Sequence, residues 1–376
     1  MIIRKSYKFR LNPTKKQAGI FQKTLDECRW LYNHLLEQRK LCYEELDQSL
    51  SKFQQNMFLP LFKEERPGLL LVHSQVLQNV NERIDKAFKS FFRRCKSGEK
   101  PGFPRFRGFD RYDSFCYPQS GFSIEGKELK LSKIGNIRIV QHREIQGKIR
   151  TCTIRREDGK WYACFSCEIE AIPLPVNDKS IGIDLGIESF ATLSDGQKIE
   201  NPRFFKKAES ELAKAQRKLS KCEKGTPERK KQKKVVSKIH QQIKNSRSDF
   251  CHKISRDIVK EYQYICIEDL SVAKMMQDSY FAKSIADVSW NQFTQFLTYK
   301  AGEAGRKLGI VNPAYTSQNC SQCGDRKAKS LSERSHRCQI CGYTAHRDVN
   351  AAKNVLALGL DSLVEIPRSL RLQARE

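Results

Sequence analysis

The sequence predicts an α+β multidomain protein with two unlike halves, and three observations carry that reading. Short alternating strand-like runs fill residues 121–170, the pattern of a small β-barrel or sandwich. Two long helical patterns precede those runs. Near residue 175 the Pro-rich stretch "AIPLPVNDKS" marks a boundary, and strands, a basic helical stretch and a cysteine ribbon follow it. A chain of 376 residues accommodates two or three domains, and 39% hydrophobic residues suffice for packed cores.

Taken in order, "IIRKSYKFRL" alternates basic with apolar residues and reads as a strand that "NPT" ends. Thr14 with Gln17 fits a capping box, and a long amphipathic helix follows through "IFQKTLDECRWLYNHLLEQRK". A second helix is predicted over 74–94. Val76, Leu77, Val80, Ile84, Ala87, Phe88, Phe91 and Phe92 recur on its apolar side, while Gln78, Asn79, Arg83, Lys86 and Lys89 make its polar face. Residues 98–118 mix Gly, Pro, Arg and aromatics and read as a loop. Such a loop suits base stacking and phosphate contact, or is pinned by buried Phe, and both readings stand. The runs "FSIEG", "ELKLS", "NIRIV", "KIRTCTIRRE" and "WYACFSCEIE" then give strands. The first strand joins them, with the helices inserted between.

After the boundary, "IGIDLGIESFATLSDGQKIE" reads as strand, turn and strand. Residues 203–260 read as helical, and between Lys206 and Arg247 fifteen Lys or Arg face four Glu. That imbalance favours a surface that tracks a phosphate backbone over a helix pair laced by salt bridges. "KGTPE" (224–228) turns the stretch into a hairpin. "YQYICIEDL" is a buried strand, "WNQFTQFLTYKAGEAGRKLG" a helix, "IVNPAY" a strand and "DVNAAKNVLALGL" the last helix; the tail after Asp361 is weakly patterned.

Sixty-nine Lys and Arg against 43 Asp and Glu leave a net charge of +26, the footprint of a polyanion binder, of which nucleic acid is the commonest. No run of about 18 apolar residues predicts a membrane span. The start "MIIRKSYKFRL" lacks a secretory pattern, so a cytoplasmic location with reduced thiols is expected. Cys164 and Cys167 also form a CxxC, but within an alternating strand pattern, and are read as small strand residues.

Cys320, Cys323, Cys338 and Cys341 give C-x2-C-x14-C-x2-C, two knuckles able to complete a tetrahedral zinc site. Gly324 and Gly342 each follow a second cysteine, where a knuckle commonly needs positive φ. With all four ligands from protein the predicted Zn²⁺ is structural; a redox dithiol pair is the alternative. Three acids sit at ends of elements: Asp184 in "IGIDLGI", Glu268 in "YICIEDL" and Asp348 at the head of the last helix. An acid in an apolar strand costs desolvation unless it is paired or binds a cation. Three convergent carboxylates are what two Mg²⁺ ions need for phosphodiester hydrolysis. Spacing alone leaves open that these are unrelated turn, cap and ion-pair residues. Asp269 is set aside because strand alternation puts it opposite Glu268.

"GIDLGIESFATLSDG", "YICIEDLSV", "NPAYTSQNCSQCG" and "CGYTAHRDVNAAKNVL", in that order, resemble the TnpB (OrfB) proteins of insertion sequences, relatives of type V CRISPR effectors. "YKFRLNPTKKQ", "RWLYNHLLEQR", "GFPRFRG", "IQGKIRTCTIRR" and "SWNQFTQFLTYKAGEAG" extend the resemblance over nearly the whole chain. It implies a wedge-type β-barrel over 1–12 and 96–175, with a helical recognition insert over 13–95. It further implies a RuvC nuclease domain of RNase H fold over 176–317 and 344–376, carrying the basic hairpin at about 203–260, and a zinc ribbon over 318–343. By the same resemblance the protein is an RNA-guided DNA endonuclease, a monomeric ribonucleoprotein with a guide RNA from the element's end and a double-stranded DNA target beside a short adjacent motif. No membrane partner is implied, and the location is prokaryotic cytoplasm with the nucleoid. Asp184, Glu268 and Asp348 become the catalytic triad. Gln78, Tyr117 and Gln119 are candidates for the adjacent motif, and Arg247 and Arg347 for further nucleic-acid contacts. Where the family often has Asp two places before its last acid, this chain has His346. A guided DNA-binding repressor without cleavage and a transposition accessory protein are the alternatives.

Overall fold

A computed structural model describes residues 2–277, 280–330 and 333–363. The chain divides into two compact units, Met1–Glu170 and Ala171–Glu376. The sequence-predicted tail lies almost wholly outside the described residues.

The first unit is one antiparallel sheet and a helical insert. Its strands are β1 (Ile2–Asn12), β2 (Ser114–Tyr117), β3 (Phe122–Glu125), β4 (Glu128–Leu131), β5 (Gly135–Val140), β6 (Lys148–Glu157) and β7 (Lys160–Glu170). Their order is β2-β6-β7-β1-β5-β4-β3, so the first strand lies at the middle of the sheet. β1 runs along β7 through ten paired residues and then pairs β5 through Arg10–Asn12. The sheet curls rather than closing by a ladder among the described residues. Its edges meet through side chains: Tyr117 Oη donates to the Ser132 carbonyl, and the Tyr117 ring meets Phe122 edge-on. The loop expected over 98–118 ends in β2, because Phe115 and Tyr117 bury their rings there.

The insert comprises α1 (Lys15–Leu46), α2 (Lys52–Met57), α3 (Leu59–Glu65) and α4 (Ser74–Lys96). α1 starts where the capping box predicts: Thr14 Oγ1 accepts from the Gln17 N–H and the Gln17 side chain accepts from the Thr14 N–H. Val76, Leu77, Val80 and Ile84 bury one stripe of α4. Phe91 and Phe92 lie past that stripe and instead form an aromatic cluster with Phe88 and Phe103.

The second unit holds β8 (Ser180–Leu185), β9 (Ser189–Leu193), β10 (Lys198–Glu200), α5 (Phe204–Lys221), α6 (Pro227–Glu261), β11 (Tyr264–Glu268), α7 (Val272–Met275), α8 (Ala282–Val288), α9 (Trp290–Ala304), β12 (Lys307–Val311), β13 (Ser335–Arg337), β14 (Thr344–His346) and α10 (Arg347–Ser362). β12 ends at Val311, before Pro313, so "NPAY" is turn rather than strand. The sheet order is β10-β9-β8-β11-β12; the first three strands are antiparallel, and β11 is parallel to both β8 and β12. Ile181, Ile183, Ile265 and Ile267 face a core shared with α6 and α9. Tyr264, Cys266 and Val311 face α10 through Val355, Leu356 and Leu360. α10 lies close on the sheet because residue 182 is Gly: a Cβ there would stand 2.1 Å from the Ala352 carbonyl oxygen. α5 and α6 form the basic hairpin, with Thr226 capping α6 and Pro227 in its first turn. Leu212, Ala215, Ile239 and Ile243 make its small core. No helix among the described residues is long and apolar enough to cross a membrane.

Candidate active site

Strand parity places the site. On β8 the odd residues Ile181 and Ile183 turn to the α6–α9 core, so Gly182 and Asp184 turn to α10. On β11 Ile265 and Ile267 face the α6–α9 core, so Cys266 and Glu268 also turn to α10. The parallel register pairs Ile267 with Ile183, and the next step sets Glu268 beside Asp184. α10 then brings Asp348 in its first turn to the same end of the sheet. All three acids line one cleft of about 850 Å³, rimmed by Arg203, Lys206, Arg334 and Arg347. Asp269 is exposed and does not line this cleft; it lines an adjoining cavity beside α9 that shares Glu268 with it.

Burial raises the proton affinity of Asp184 and Glu268. Asp184 is pushed well above the usual carboxylate range, first by burial, then by the charges of Glu268 and Asp348, against the pull of Arg347. Glu268, 5% exposed, is pushed up to about 7, chiefly by burial, although Thr316 and the Leu185 backbone hydrogen-bond it. This donor set suits hard divalent cations: carboxylate oxygens only, converging on one cleft.

Below the acids runs a hydrogen-bonded support. Thr316 Oγ1 donates to Glu268 Oε1 at 2.7 Å. Asn354 on α10 donates to the carbonyls of Thr316 and Asn319, both at 2.8 Å. Asn350, fully buried, donates to the Asn319 carbonyl and accepts from the Ser321 N–H. One helix thus carries Asp348 and also anchors the turn that orients Glu268. That turn leads straight into the cysteine ribbon. Sequence reasoning passed over Thr316, Asn350 and Asn354. The two asparagines at i and i+4 on an apolar-patterned helix were the available signal.

The four ribbon sulfurs all lie within 4.8 Å of one another. Cys320 Sγ is 3.6 Å from Cys341 Sγ, and Cys323 Sγ is 3.5 Å from Cys338 Sγ. A tetrahedron with Zn–S bonds of about 2.3 Å has edges of about 3.8 Å, so the cluster fits zinc. Gly324 and Gly342 have φ of 78° and 75°, the left-handed backbone each knuckle needs. The β13–β14 hairpin joins the second knuckle to α10. By contrast Cys164 and Cys167 lie in β7, Cys167 buried in the sheet core, and neither belongs to a metal-ligating cluster of described residues.

The other site candidates separate by environment. Gln78 and Gln119 are exposed. Tyr117 is a correction: at 1% exposure its ring packs among Phe115, Phe122 and His73, closing the curl of the sheet, so it is not displayed to a ligand. Arg247 is a second correction, since its guanidinium is spent on Asp287 through two bonds of 3.1 and 2.7 Å. Asp287 also accepts from the N–H groups of Phe205 and Lys206, tying the hairpin's two helices to α8. Arg347 lies at the cleft, 3.4 Å from Asp348 Oδ1. His346 caps α10, its Nδ1 facing the Asp348 N–H at 3.3 Å, while its Nε2 meets Lys198 Nζ at 3.1 Å. The 98–118 loop is pinned by a polar side chain rather than by buried Phe. Asn33 holds the Arg107 backbone through two hydrogen bonds, and Phe103, Phe106 and Phe109 are exposed.

Three family models match the chain. OrfB_IS605, described as "Probable transposase", covers residues 164–279. The "Cas12f1-like, TNB domain" covers 290–355, and a "Helix-turn-helix domain" of OrfB_IS605 covers 1–48, which fold here as one strand and one long helix. A Streptomyces pristinaespiralis protein named as an RNA-guided DNA endonuclease is 33% identical over 95% of this chain and 90% of its own. InsQ of Escherichia coli K12, named likewise, is 32% identical over 94% of this chain and 92% of its own. The solved mini-RNA-guided endonuclease CRISPR-Cas_phi3 overlays with a TM-score of 0.48 at 9% identity, over 97% of this chain and 93% of that one. The chain belongs to the TnpB (OrfB) family.

Proposed function

We propose that this member of the TnpB family is an RNA-guided DNA endonuclease that hydrolyses phosphodiesters at the cleft of Asp184, Glu268 and Asp348. The observation that carries the reading is the convergence of those carboxylates, from two parallel strands and one helix start, on one face of one sheet. Numbered along the second unit, the sheet runs 3-2-1-4-5, with acids on strands 1 and 4, which supports an RNase H-like, RuvC-type domain over 176–317 and 344–376. The curled first sheet supports the wedge-type barrel of 1–12 and 96–175, with 13–95 as its helical recognition insert. The ribbon over 318–343 holds one structural Zn²⁺.

Asp184, Glu268 and Asp348 are the ligands for two Mg²⁺. When bound, such ions supply the Lewis acidity for phosphodiester hydrolysis. Glu268 is held by Thr316. Asp348 benefits from the positive end of α10. Arg347, Arg203 and Lys206 hold the strand's phosphates at the rim. Choice of target falls to base pairing with a guide RNA, which suits a chain with +26 charge spread over both units. The partners are that RNA and double-stranded DNA, in a monomeric ribonucleoprotein of the prokaryotic cytoplasm. Gln78 and Gln119 remain the candidates for the motif beside the target.

The test is cleavage of a randomised plasmid library by the purified ribonucleoprotein in Mg²⁺, with sequencing of the RNA that co-purifies. Cutting beside a short motif and a structured RNA with a variable 3′ end are expected. Equal cutting by wild type and Asp184→Ala overturns the site assignment, and random cellular RNA overturns the guide.

A further inference from the structure

Tyr315 stands in "NPAYTSQNC", between Val311 at the end of β12 and the first zinc knuckle. Its φ is 68°, in the left-handed region where a bulky side chain is a genuine outlier. The turn itself explains the backbone but not the residue. Thr316 N–H donates to the Pro313 carbonyl, and Gln318 and Asn319 N–H groups donate to the Tyr315 carbonyl. Such a turn takes Gly or Asn at that position at little cost. Core packing does not explain the ring either, since the residue is 49% exposed.

What the ring does touch is a cation. The Arg326 guanidinium carbon lies 3.5 Å from its centroid, a stacking distance. Arg326 is fixed in turn: its Nε donates to Asn319 Oδ1, and its backbone bridges to Asn319 across the knuckle. The knuckle cysteines Cys320 and Cys323 lie between the two stacked residues in sequence. On the other side, Tyr315 is flanked by Pro313 and Thr316, both of which line the acidic cleft, and Thr316 holds Glu268.

We infer that Tyr315 and Arg326 form a stacking platform for one unpaired nucleobase of the strand entering the cleft. Arg326 covers one face of the ring and its exposure leaves the other in solvent. A flat aromatic backed by a guanidinium accepts any base, because every base has a π-face. The strained backbone fixes the ring one residue from Thr316, which lines the cleft, and the zinc knuckle fixes its backing. Tyr315 is a positioning residue; it takes no part in bond breaking. The identity of the ligand as a DNA strand rests on the nuclease reading above.

The experiment uses the purified ribonucleoprotein and single-stranded DNA complementary to its guide, carrying 2-aminopurine at successive positions, in Ca²⁺ so that no cutting is required. Fluorescence at one position should fall several-fold in wild type and in Tyr315→Phe, and return to the free-strand level in Tyr315→Gly. In Mg²⁺, Tyr315→Gly should raise KM about tenfold with kcat little changed, as loss of one base stack implies. The same variant should melt about 2–4 °C higher, because glycine relieves the strain. Unchanged fluorescence in Tyr315→Gly overturns the platform, as does a lowered Tm with the loss of kcat, which would make Tyr315 a scaffold of the turn. Tyr315-dependent quenching without any cutting in Mg²⁺ would sink the nuclease reading and leave the platform standing.

Discussion

The second unit carries two clusters of acidic ligands, and they differ in how the chain builds them. The four thiols of the ribbon come from two short knuckles within 22 consecutive residues, Cys320 to Cys341. The three carboxylates come from the first strand, the fourth strand and the last helix of the unit. The thiol cluster supplies four converging sulfurs, so a zinc ion held there would have no open position. The carboxylate cluster opens on a cleft of about 850 Å³ and keeps room for a substrate. Thr316, Asn350 and Asn354 join the two clusters.

The sharpest way to break that contrast is to damage each cluster singly. Asp348→Ala should reduce cleavage on the order of 1,000-fold, since several kcal/mol of transition-state stabilisation go with a metal ligand. It should leave guide-RNA binding and melting temperature near wild type. Cys341→Ser should also lose cleavage, but with loss of bound zinc and of protease resistance around residues 318–346. If Asp348→Ala still cuts normally, Asp348 is only a polar residue at a helix start. If Cys341→Ser cuts normally and keeps its zinc, the ribbon is not the closed site described here.

Protons give the next largest effect. Glu268 is raised from its ordinary 4.5 to about 7 by burial, and Asp184 is raised as well. A carboxyl with a raised folded pKa binds its proton more tightly folded than unfolded. Its contribution to stability is therefore full below about 4.5 and lost as pH climbs through about 7. Without divalent cation, Glu268→Gln should melt higher than wild type at pH 8 and close to it at pH 4.5, because the glutamine still accepts from Thr316. Mg²⁺ should raise the wild-type Tm more at pH 8 than at pH 5. An Mg²⁺ shift that is equal at both pH values would show that these acids do not hold the ion.

Two smaller tests bear on the connection between the clusters. Thr316→Val removes the hydrogen bond to Glu268 and should slow cleavage about tenfold, the scale of a bond to a charged group. A silent Thr316→Val would leave the Leu185 backbone as the sufficient support of Glu268. His346→Ala should cost about 1 kcal/mol by uncapping α10, with cleavage within about threefold, and His346→Asp should restore the cap. A cleavage loss in His346→Ala as large as that of Asp348→Ala would move His346 into the chemistry.

What could be read without the fold followed from local rules. The capping box at Thr14 and Gln17, the knuckle glycines at 324 and 342, and the turn at Thr226–Pro227 depend only on neighbours within a few positions, and each recurs in three dimensions. Burial also distinguishes Glu268, which is buried, from the exposed Asp269. Readings that failed needed longer range. Tyr117 follows an exposed-looking loop, yet the curl of a sheet whose edges are β2 and β3 buries its ring. Arg247 sits in a run of solvated cations, yet it meets Asp287 forty residues on, across three helices.

The sequence by itself determined the charge and the cysteine spacing of a candidate zinc site, because composition and spacing are one-dimensional facts, and it singled out the three acids only through their place in the family's motifs. Tertiary structure alone decided that the acids meet. Their convergence needs the parallel β8–β11 register and a glycine at 182 that lets α10 press against the sheet. It also decided that a strained tyrosine would be backed by an arginine eleven residues away, since only the folded zinc knuckle returns the chain to that spot.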